Sequence, residues 1–456
     1  MSGVFEANNL LLPIATFHGI LLLSIAEIPM NKQDIKKIIL DQSVTIRRDI
    51  DTRRDIESEL PRHFIHGLVT IITGMRRVGK STLLQHIRAH YKQSDFWVDF
   101  DDDRFVNFQL SDFQTLLELL IELYGPQNTF FFDEIQNIVG WERFVRRLHD
   151  HGYKVFITGS NANMLSRELG THLTGRYSCL VLYPFSFHEF LRAKQPELLT
   201  TQHFNTVTRA QIKKQFNDYF SKGGLPFQLT QIDPDYLSVL YENILYRDII
   251  ARYKITTERP IRVLTHYLAS NVGKEVSYNK LKDTIQVANH STVSEYCQYF
   301  ENSYLCYLVN VYDDSLKKQT RYHKKIYFND VAMANKIGFR HSEDRGRLLE
   351  NIVYLELRRR YSEIYFHKNE KECDFLIKEA HQIIAAYQVT LSIDNEDTKK
   401  RECNGLIEAM QHHSIMQGYI LTEDTEDELI LQVAKKKYKI KIMPVWQWLL
   451  DGRAHQ

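Results

Sequence analysis

The stretch GMRRVGKST, Gly74–Thr82, directly follows the apolar run LVTIIT, Leu68–Thr73. Its spacing is G-x-x-x-x-G-K-S/T, a pattern in which backbone N–H groups wrap a chain of phosphates and the lysine reaches the outer ones. At average residue usage a chain this long would match by chance about two times in a hundred. The flanks agree with the pattern. LVTIIT reads as a buried strand, and KSTLLQHIRAHY, Lys80–Tyr91, sets Leu83, Leu84, Ile87 and Tyr91 at helical spacing. The loop therefore feeds a helix N-terminus, where free N–H groups and the helix dipole favour an anion. Gly74, Arg77, Val78, Gly79, Lys80, Ser81 and Thr82 are the candidate ATP contacts, with Ser81 also a candidate ligand of the accompanying Mg²⁺. Arg76 and Arg77 either add positive charge beside the phosphates or turn outward while the backbone binds.

A second apolar run, NTFFFDEIQ (Asn128–Gln136), ends in two acids. It reads as a buried strand delivering Asp133 and Glu134 to its carboxyl end, where ligands bind in open parallel sheets. Asp133 is placed to hold Mg²⁺ through water, and Glu134 to polarise an attacking water. Between the two motifs lie another strand, FWVDFDD (Phe96–Asp102), and a helix with Ser111 as its expected N-cap. KVFITGSNA (Lys154–Ala162) is a further strand, whose end presents Thr158, Ser160 and Asn161 as candidate sensors of the outermost phosphate. This alternation predicts an α/β domain, a parallel sheet with helices on both faces.

The whole chain has 456 residues, too many for one ordinary core, so several domains are expected. Its formal net charge of +1 excludes a global field that would advertise nucleic acid. The five cysteines are scattered without a C-x-x-C pair, which points to reduced thiols in a cytoplasm and no zinc site. The run LLLPIATFHGILLLSIA, Leu10–Ala26, is at the lower limit of a membrane span but carries Pro13 and His18, and no Lys or Arg precedes it. Three readings stay open for residues 1–29: an extension outside the working protein, a helix packed on the body, or an anchor.

Together GMRRVGKSTLL, FFFDEIQ, VFITGSNANMLSRELGTHLTGR and LYPFSFHEFL resemble the bacterial and archaeal AAA-family ATPases that carry an additional C-terminal domain of unknown function. The resemblance runs from about Met30 to the C-terminus. It implies the additional-strand class of P-loop ATPases, in which a strand is inserted between the loop strand and the acidic strand. It also implies a role for Arg176 of LTGR as an arginine finger or sensor, and a possible homo-oligomer.

On this reading residues 30–205 form the ATPase domain and 206–256 a helical linker or lid. Residues 257–338, in the order helix, helix, helix and strand, resemble a winged helix, with Ser277 and Ser291 as expected N-caps. Its third helix carries Glu295 and Glu301 and no Lys or Arg, which argues against base reading in a major groove. The following wing is basic, and Lys317, Lys318, Arg321, Lys324 and Lys325 are candidates for DNA or RNA backbone contact, against a solvated or protein-docking hairpin.

Residues 339–456 open with a helix carrying Glu350. If ECDFLIK and QIIAAYQVT pair as a hairpin centred near His381, Asp374 and Gln388 face each other. Glu350, Asp374 and Gln388 then resemble the metal-binding constellation of restriction-endonuclease-like folds. That pattern's lysine is Thr390 here, so the expectation is a nuclease-like domain without robust cleavage, unless Lys400 or Arg401 supplies the charge. The reading is an ATP-hydrolysing P-loop motor or switch coupled to both later domains. A nucleotide-regulated protein-binding scaffold with little turnover is the alternative.

Overall fold

The structure, a computed structural model, describes residues 29–44, 52–58, 60, 67–91, 95–161, 173, 175–200, 205–230, 233–339, 345–433 and 436–451. The apolar run at residues 10–26 lies outside these, and no described helix is long and apolar enough to cross a membrane.

Three sheets organise the chain. The first contains β1 (Val69–Thr73), β2 (Phe96–Asp99), β3 (Thr129–Asp133), β4 (Lys154–Gly159) and β5 (Tyr177–Val181). These run parallel in the order β2-β3-β4-β1-β5. β4 thus separates the loop strand β1 from the acidic strand β3, giving the arrangement of an additional-strand P-loop α/β domain. Strands β1 and β3 are buried along their whole length because both faces of the sheet are covered. On one face Ile71, Phe130 and Phe132 pack with Ile35, Phe113 and Trp141; on the other Ile72, Phe131 and Phe156 join Leu83, Phe190 and Phe216. This alternation along each strand is the period of two that separates the sheet's faces.

The second sheet is small: β6 (Glu275–Val276), β7 (Cys306–Asn310) and β8 (Lys324–Phe328), antiparallel in the order β6-β8-β7. Around it stand the helices Glu258–Ser270, Tyr278–Ile285 and His290–Asn302. Before these come the helices Thr206–Lys222 and Tyr236–Asn243, and a π-helix at Ile244–Ala251.

The third sheet holds β9 (Glu363–Lys368), β10 (Glu372–Glu379), β11 (Gln382–Val389), β12 (Gln417–Thr422), β13 (Asp427–Val433) and β14 (Lys436–Pro444), in the order β13-β14-β12-β11-β10-β9. Its first part is helix Arg345–Arg360, the antiparallel meander β9-β10-β11, helix Glu396–His412, and β12 parallel to β11. Phe375 pairs with Tyr387 and Ile377 with Ala385, the register of a hairpin centred on His381; a shift after Ile377 then alters the tip. One apolar core runs from Phe131 through Tyr219, Leu264 and Tyr327 to Tyr354 and Trp446, so the three sheets are packed on one another.

Several local expectations are corrected. Ser111 precedes its helix in an αR conformation and makes no side-chain cap bond. Ser277 occupies the N-cap position without a side-chain cap bond, and Ser291 lies inside a helix whose N-cap is Asn289. The side-chain caps that form elsewhere include Ser186 with Glu189, Asn205, Asp330 and Asn395. The basic stretch after β7 is not a plain hairpin: Leu316–Arg321 is a short helix between β7 and β8. Lys324 is half-buried and bonded to Asn310, and Lys325 is buried outright, so Lys325 does not present its charge to a polyanion. The Arg321 side chain lies outside the described residues.

Candidate functional site

The carboxyl ends of β1, β3 and β4 lie side by side, as parallel strands require, and bring the two sequence motifs together. Gly74 leaves β1 at φ 149°, and a Cβ there would stand 2.2 Å from the Leu182 carbonyl oxygen. Only glycine fits that approach. Gly79 also has positive φ, and Arg77 between them is held at φ 67°, a conformation that costs a non-glycine residue energy and is retained where surrounding structure enforces it.

Lys80 opens the helix behind the loop and is buried. Its Nζ donates to the Met75 carbonyl at 3.3 Å and lies 3.4 Å from Glu134 Oε1. Burial alone would raise the Glu134 pKa, but Lys80, Gln136 and Arg76 outweigh it and hold this carboxyl below its ordinary value. Asp133 is shifted the other way: burial raises its pKa, only partly offset by hydrogen bonds from Thr158 and Ser81. The Thr158 hydroxyl donates to Asp133 Oδ1 and accepts the Glu134 N–H at 2.9 Å. One side chain of β4 therefore orients both acids. Glu134 itself sits at φ 48°, which turns it out of the strand toward the lysine. Asn161 and Ser160 are buried at the end of β4; the Asn161 carbonyl accepts the Thr73 hydroxyl at 3.4 Å, and Ser160 Oγ has no partner among the described residues.

Arg176 is elsewhere. It precedes β5, its carbonyl accepts the Val69 N–H at the beginning of β1, and its guanidinium lies 3.9 Å from Asp150. Five residues of β1 separate it from Gly74, roughly 16 Å at strand rise, so it stands at the opposite end of the sheet from its own loop.

Contacts that the sequence did not announce complete the site. Arg54, buried, bonds both Glu189 oxygens at 3.0 and 3.3 Å, the Tyr183 carbonyl at 2.6 Å and the loop's own Val78 carbonyl at 2.9 Å. Arg76 turns away from the loop's hollow and forks onto Asp248 of the π-helix. The Tyr304 hydroxyl, from the turn before β7, lies 3.0 Å from the Thr73 hydroxyl. Asp99 ends β2 in register with Asp133; burial, then the neighbouring Asp133, Asp101 and Glu134, push its carboxyl up to about 7. No spacing rule reveals Arg54, Asp248, Tyr304 or Asp99 as parts of the site, because each approaches from a different part of the chain; the outward turn of Arg76 is one of the two readings its sequence left open.

The second predicted cluster also assembles. Asp374 N–H donates to Gln388 Oε1 at 3.2 Å, and Glu350 lies across the same hollow. A fourth group fills the space between: Lys325 Nζ of β8 is 2.7 Å from Glu372, 2.8 Å from Asp374 and 3.3 Å from Glu350. Tyr327 donates to Glu350 at 2.6 Å, and Gln388 donates to Glu402 at 2.7 Å. Lys400 is exposed and Arg401 pairs with Glu402, so the positive charge comes from neither of the expected residues. Among the described residues no group of three or more His, Cys, Asp or Glu is disposed to hold a metal ion.

Fold and loop together define a P-loop domain of the AAA type, and the model of the "AAA domain" family matches residues 66–191. A domain of unknown function, DUF8612, matches residues 213–343, the helical segment and the three-stranded sheet. The chain is 32% identical over 436 residues to the uncharacterized protein MJ1544 of Methanocaldococcus jannaschii, covering 91% of this chain and 95% of that one, and it belongs to that protein's family. An uncharacterized protein of Haemophilus influenzae is 31% identical over 335 residues, covering 69% of this chain and 81% of its own length. Among solved structures, the Thermotoga maritima RuvB Holliday junction branch migration motor aligns at 15% identity and TM-score 0.26, covering 64% of this chain and 99% of that chain. Drosophila ORC bound to AT-rich DNA and Cdc6 aligns at 9% and 0.20, covering 67% and 93%. At these scores neither likeness bears on fold or function.

Proposed function

We propose that the chain binds and hydrolyses ATP with Mg²⁺ at the loop Gly74–Thr82 and passes the result of turnover to its later domains. The observation that carries this reading is the meeting of Lys80, Asp133 and Glu134 behind a loop whose first glycine, Gly74, leaves no room for a Cβ. The donor set fits the ligand. Loop N–H groups and Lys80 hold the phosphates, and Ser81 and Asp133 hold the metal, which supplies charge neutralisation on the phosphates when bound. Glu134, freed from Lys80 as that lysine turns to phosphate, accepts a proton from water and orients it. Asn161 reads the outermost phosphate from the end of β4.

Arg176 acts in this reading across subunits, since its distance from its own loop leaves a neighbouring chain's site as the one it can complete. Residues 257–338 are read as a winged helix, supported by the order helix, strand, two helices and two further strands. Residues 339–456 are read as a nuclease-like domain without robust cleavage, supported by the meander topology and by the lysine among its carboxylates. Within the basic stretch after β7, Lys317 and Lys318 are exposed, and backbone contact to nucleic acid is read as resting first with them. A cytoplasmic setting suits the cysteines, none of which is paired.

The test is nucleotide binding and turnover in the full chain. Lys80→Ala is expected to lose ATP binding, and Glu134→Gln to bind ATP without cleaving it. Equal ATPase rates in wild type and Glu134→Gln would overturn the role given to that glutamate.

A further inference from the structure

We propose that Asp248 and the outermost phosphate of ATP compete for the Arg76 guanidinium, so that ATP, but not ADP, releases the π-helix Ile244–Ala251. This rests on the ATP reading above and adds a phosphate-reading residue and its output. Arg76 sits between the two loop glycines, on the backbone that wraps the phosphates, and its side chain is only 17% exposed. Its Nε lies 3.0 Å from Asp248 Oδ2 and its Nη2 3.1 Å from Oδ1, a two-bond fork of the kind a phosphate offers equally well. Burial works against its charge, but Asp248, Glu134 and Asp101 outweigh that and hold its pKa above the ordinary value. The guanidinium thus points to Asp248, yet it is close enough to Glu134, the carboxylate beside Lys80, to feel its charge.

What Arg76 leaves behind gives the exchange its force. Asp248 is 3% exposed, and a carboxylate deprived of its ion-pair partner at that depth is strongly unfavourable unless its helix moves toward water. The helix is suited to move. A π-helix is rare, occurs mostly as a single turn, and is frequent at functional sites. Here eight residues carry it, and returning them to α-helical bonding would shift everything that follows, beginning with the helix Glu258–Ser270. The neighbouring Arg247 pairs with Asp101 beyond β2, and Tyr304 touches Thr73 at the root of the loop. The segment is thus tied to the rim of the site at adjacent residues, Arg247 and Asp248, and it lies within the matched domain of unknown function, residues 213–343.

The test measures hydrogen exchange of residues 244–251 and nucleotide affinity in the full-length protein, with ADP and with a non-hydrolysable ATP analogue. Wild type is expected to exchange this segment about tenfold faster with the analogue than with ADP. Asp248→Asn, with no carboxylate to hold the arginine, is expected to bind the analogue about three- to tenfold more tightly, leave ADP within about twofold, and exchange fast with either. Arg76→Lys keeps the charge but loses the fork, and should show the segment's nucleotide response reduced while the fold, followed by circular dichroism, is kept. Equal exchange with ADP and analogue in a wild type that binds both would overturn this proposal and leave the ATP reading standing. Failure of wild type to bind either nucleotide would overturn both.

Discussion

Lys325 Nζ lies 2.8 Å from Asp374 Oδ1, carried there from the three-stranded sheet into the acidic hollow of the six-stranded one. The ammonium stands among the carboxylates of Glu350, Glu372 and Asp374, and its side chain is 2% exposed. The positive charge among these carboxylates comes from β8 of the three-stranded sheet and is closed off from any polyanion. Glu350 shows the strain of the arrangement. Burial pushes its carboxyl up to about 7, against the pull of Lys325.

Lys325→Met should therefore destabilise the protein by about 3–5 kcal/mol, because Asp374 and its acidic neighbours are left buried without a counter-ion. Denaturant midpoints of the variant and wild type check this. A drop below about 1 kcal/mol would mean that the carboxylates are reached by water.

Arg54→Met is expected to cost a similar amount, about 3–5 kcal/mol, since Glu189 loses both bonds of its buried pair. It should also weaken ATP binding, because the same guanidinium holds the Val78 carbonyl of the loop. Arg54→Lys should recover little, as one ammonium cannot reach Glu189, Tyr183 and Val78 together. Stability and nucleotide affinity falling independently of each other would argue against the shared anchor.

Mixing Arg176→Ala with Lys80→Ala protein tests action across subunits. Each variant supplies the part the other lacks, so an assembled mixture should regain up to about a quarter of wild-type ATPase if Arg176 completes a neighbour's site. No recovery in a mixture shown to assemble would leave Arg176 as the partner of Asp150 and nothing more.

The pH dependence of stability should carry the mark of Asp99. Its ordinary pKa is 3.8 and burial beside Asp133, Asp101 and Glu134 raises it to about 7. Between these values the unfolded chain has released the proton that the folded chain still holds, so stability falls as pH rises through the window. In nucleotide-free protein with chelator, Asp99→Asn should unfold a few degrees higher than wild type at pH 7, and the gap should close as pH approaches 4. A gap independent of pH would place the effect outside this carboxyl.

Much of the nucleotide site was legible because it is local. A glycine loop between strand and helix is written in nine consecutive residues, and the acids Asp133 and Glu134 follow a run of phenylalanines that has to be buried. Periodicity also gave the alternation of strands and helices, and counting residues about His381 placed Asp374 opposite Gln388. What the sequence could not carry were contacts whose partners are far apart along the chain. Arg54 and Glu189, Arg76 and Asp248, Tyr304 and Thr73, Lys325 and Asp374 are separated by 135, 172, 231 and 49 residues. The basic run near Lys325 reads as a wing because charge in a sequence is scored as surface. Only packing of β8 against the last sheet decided that this lysine is buried, since a charge enters a core when opposite charges, supplied by other elements, are already waiting there. The insertion of a strand between the loop strand and the acidic strand was expected from the family resemblance, and β4 takes that place; what only the tertiary structure decided is that the insertion sets Thr158 against Asp133.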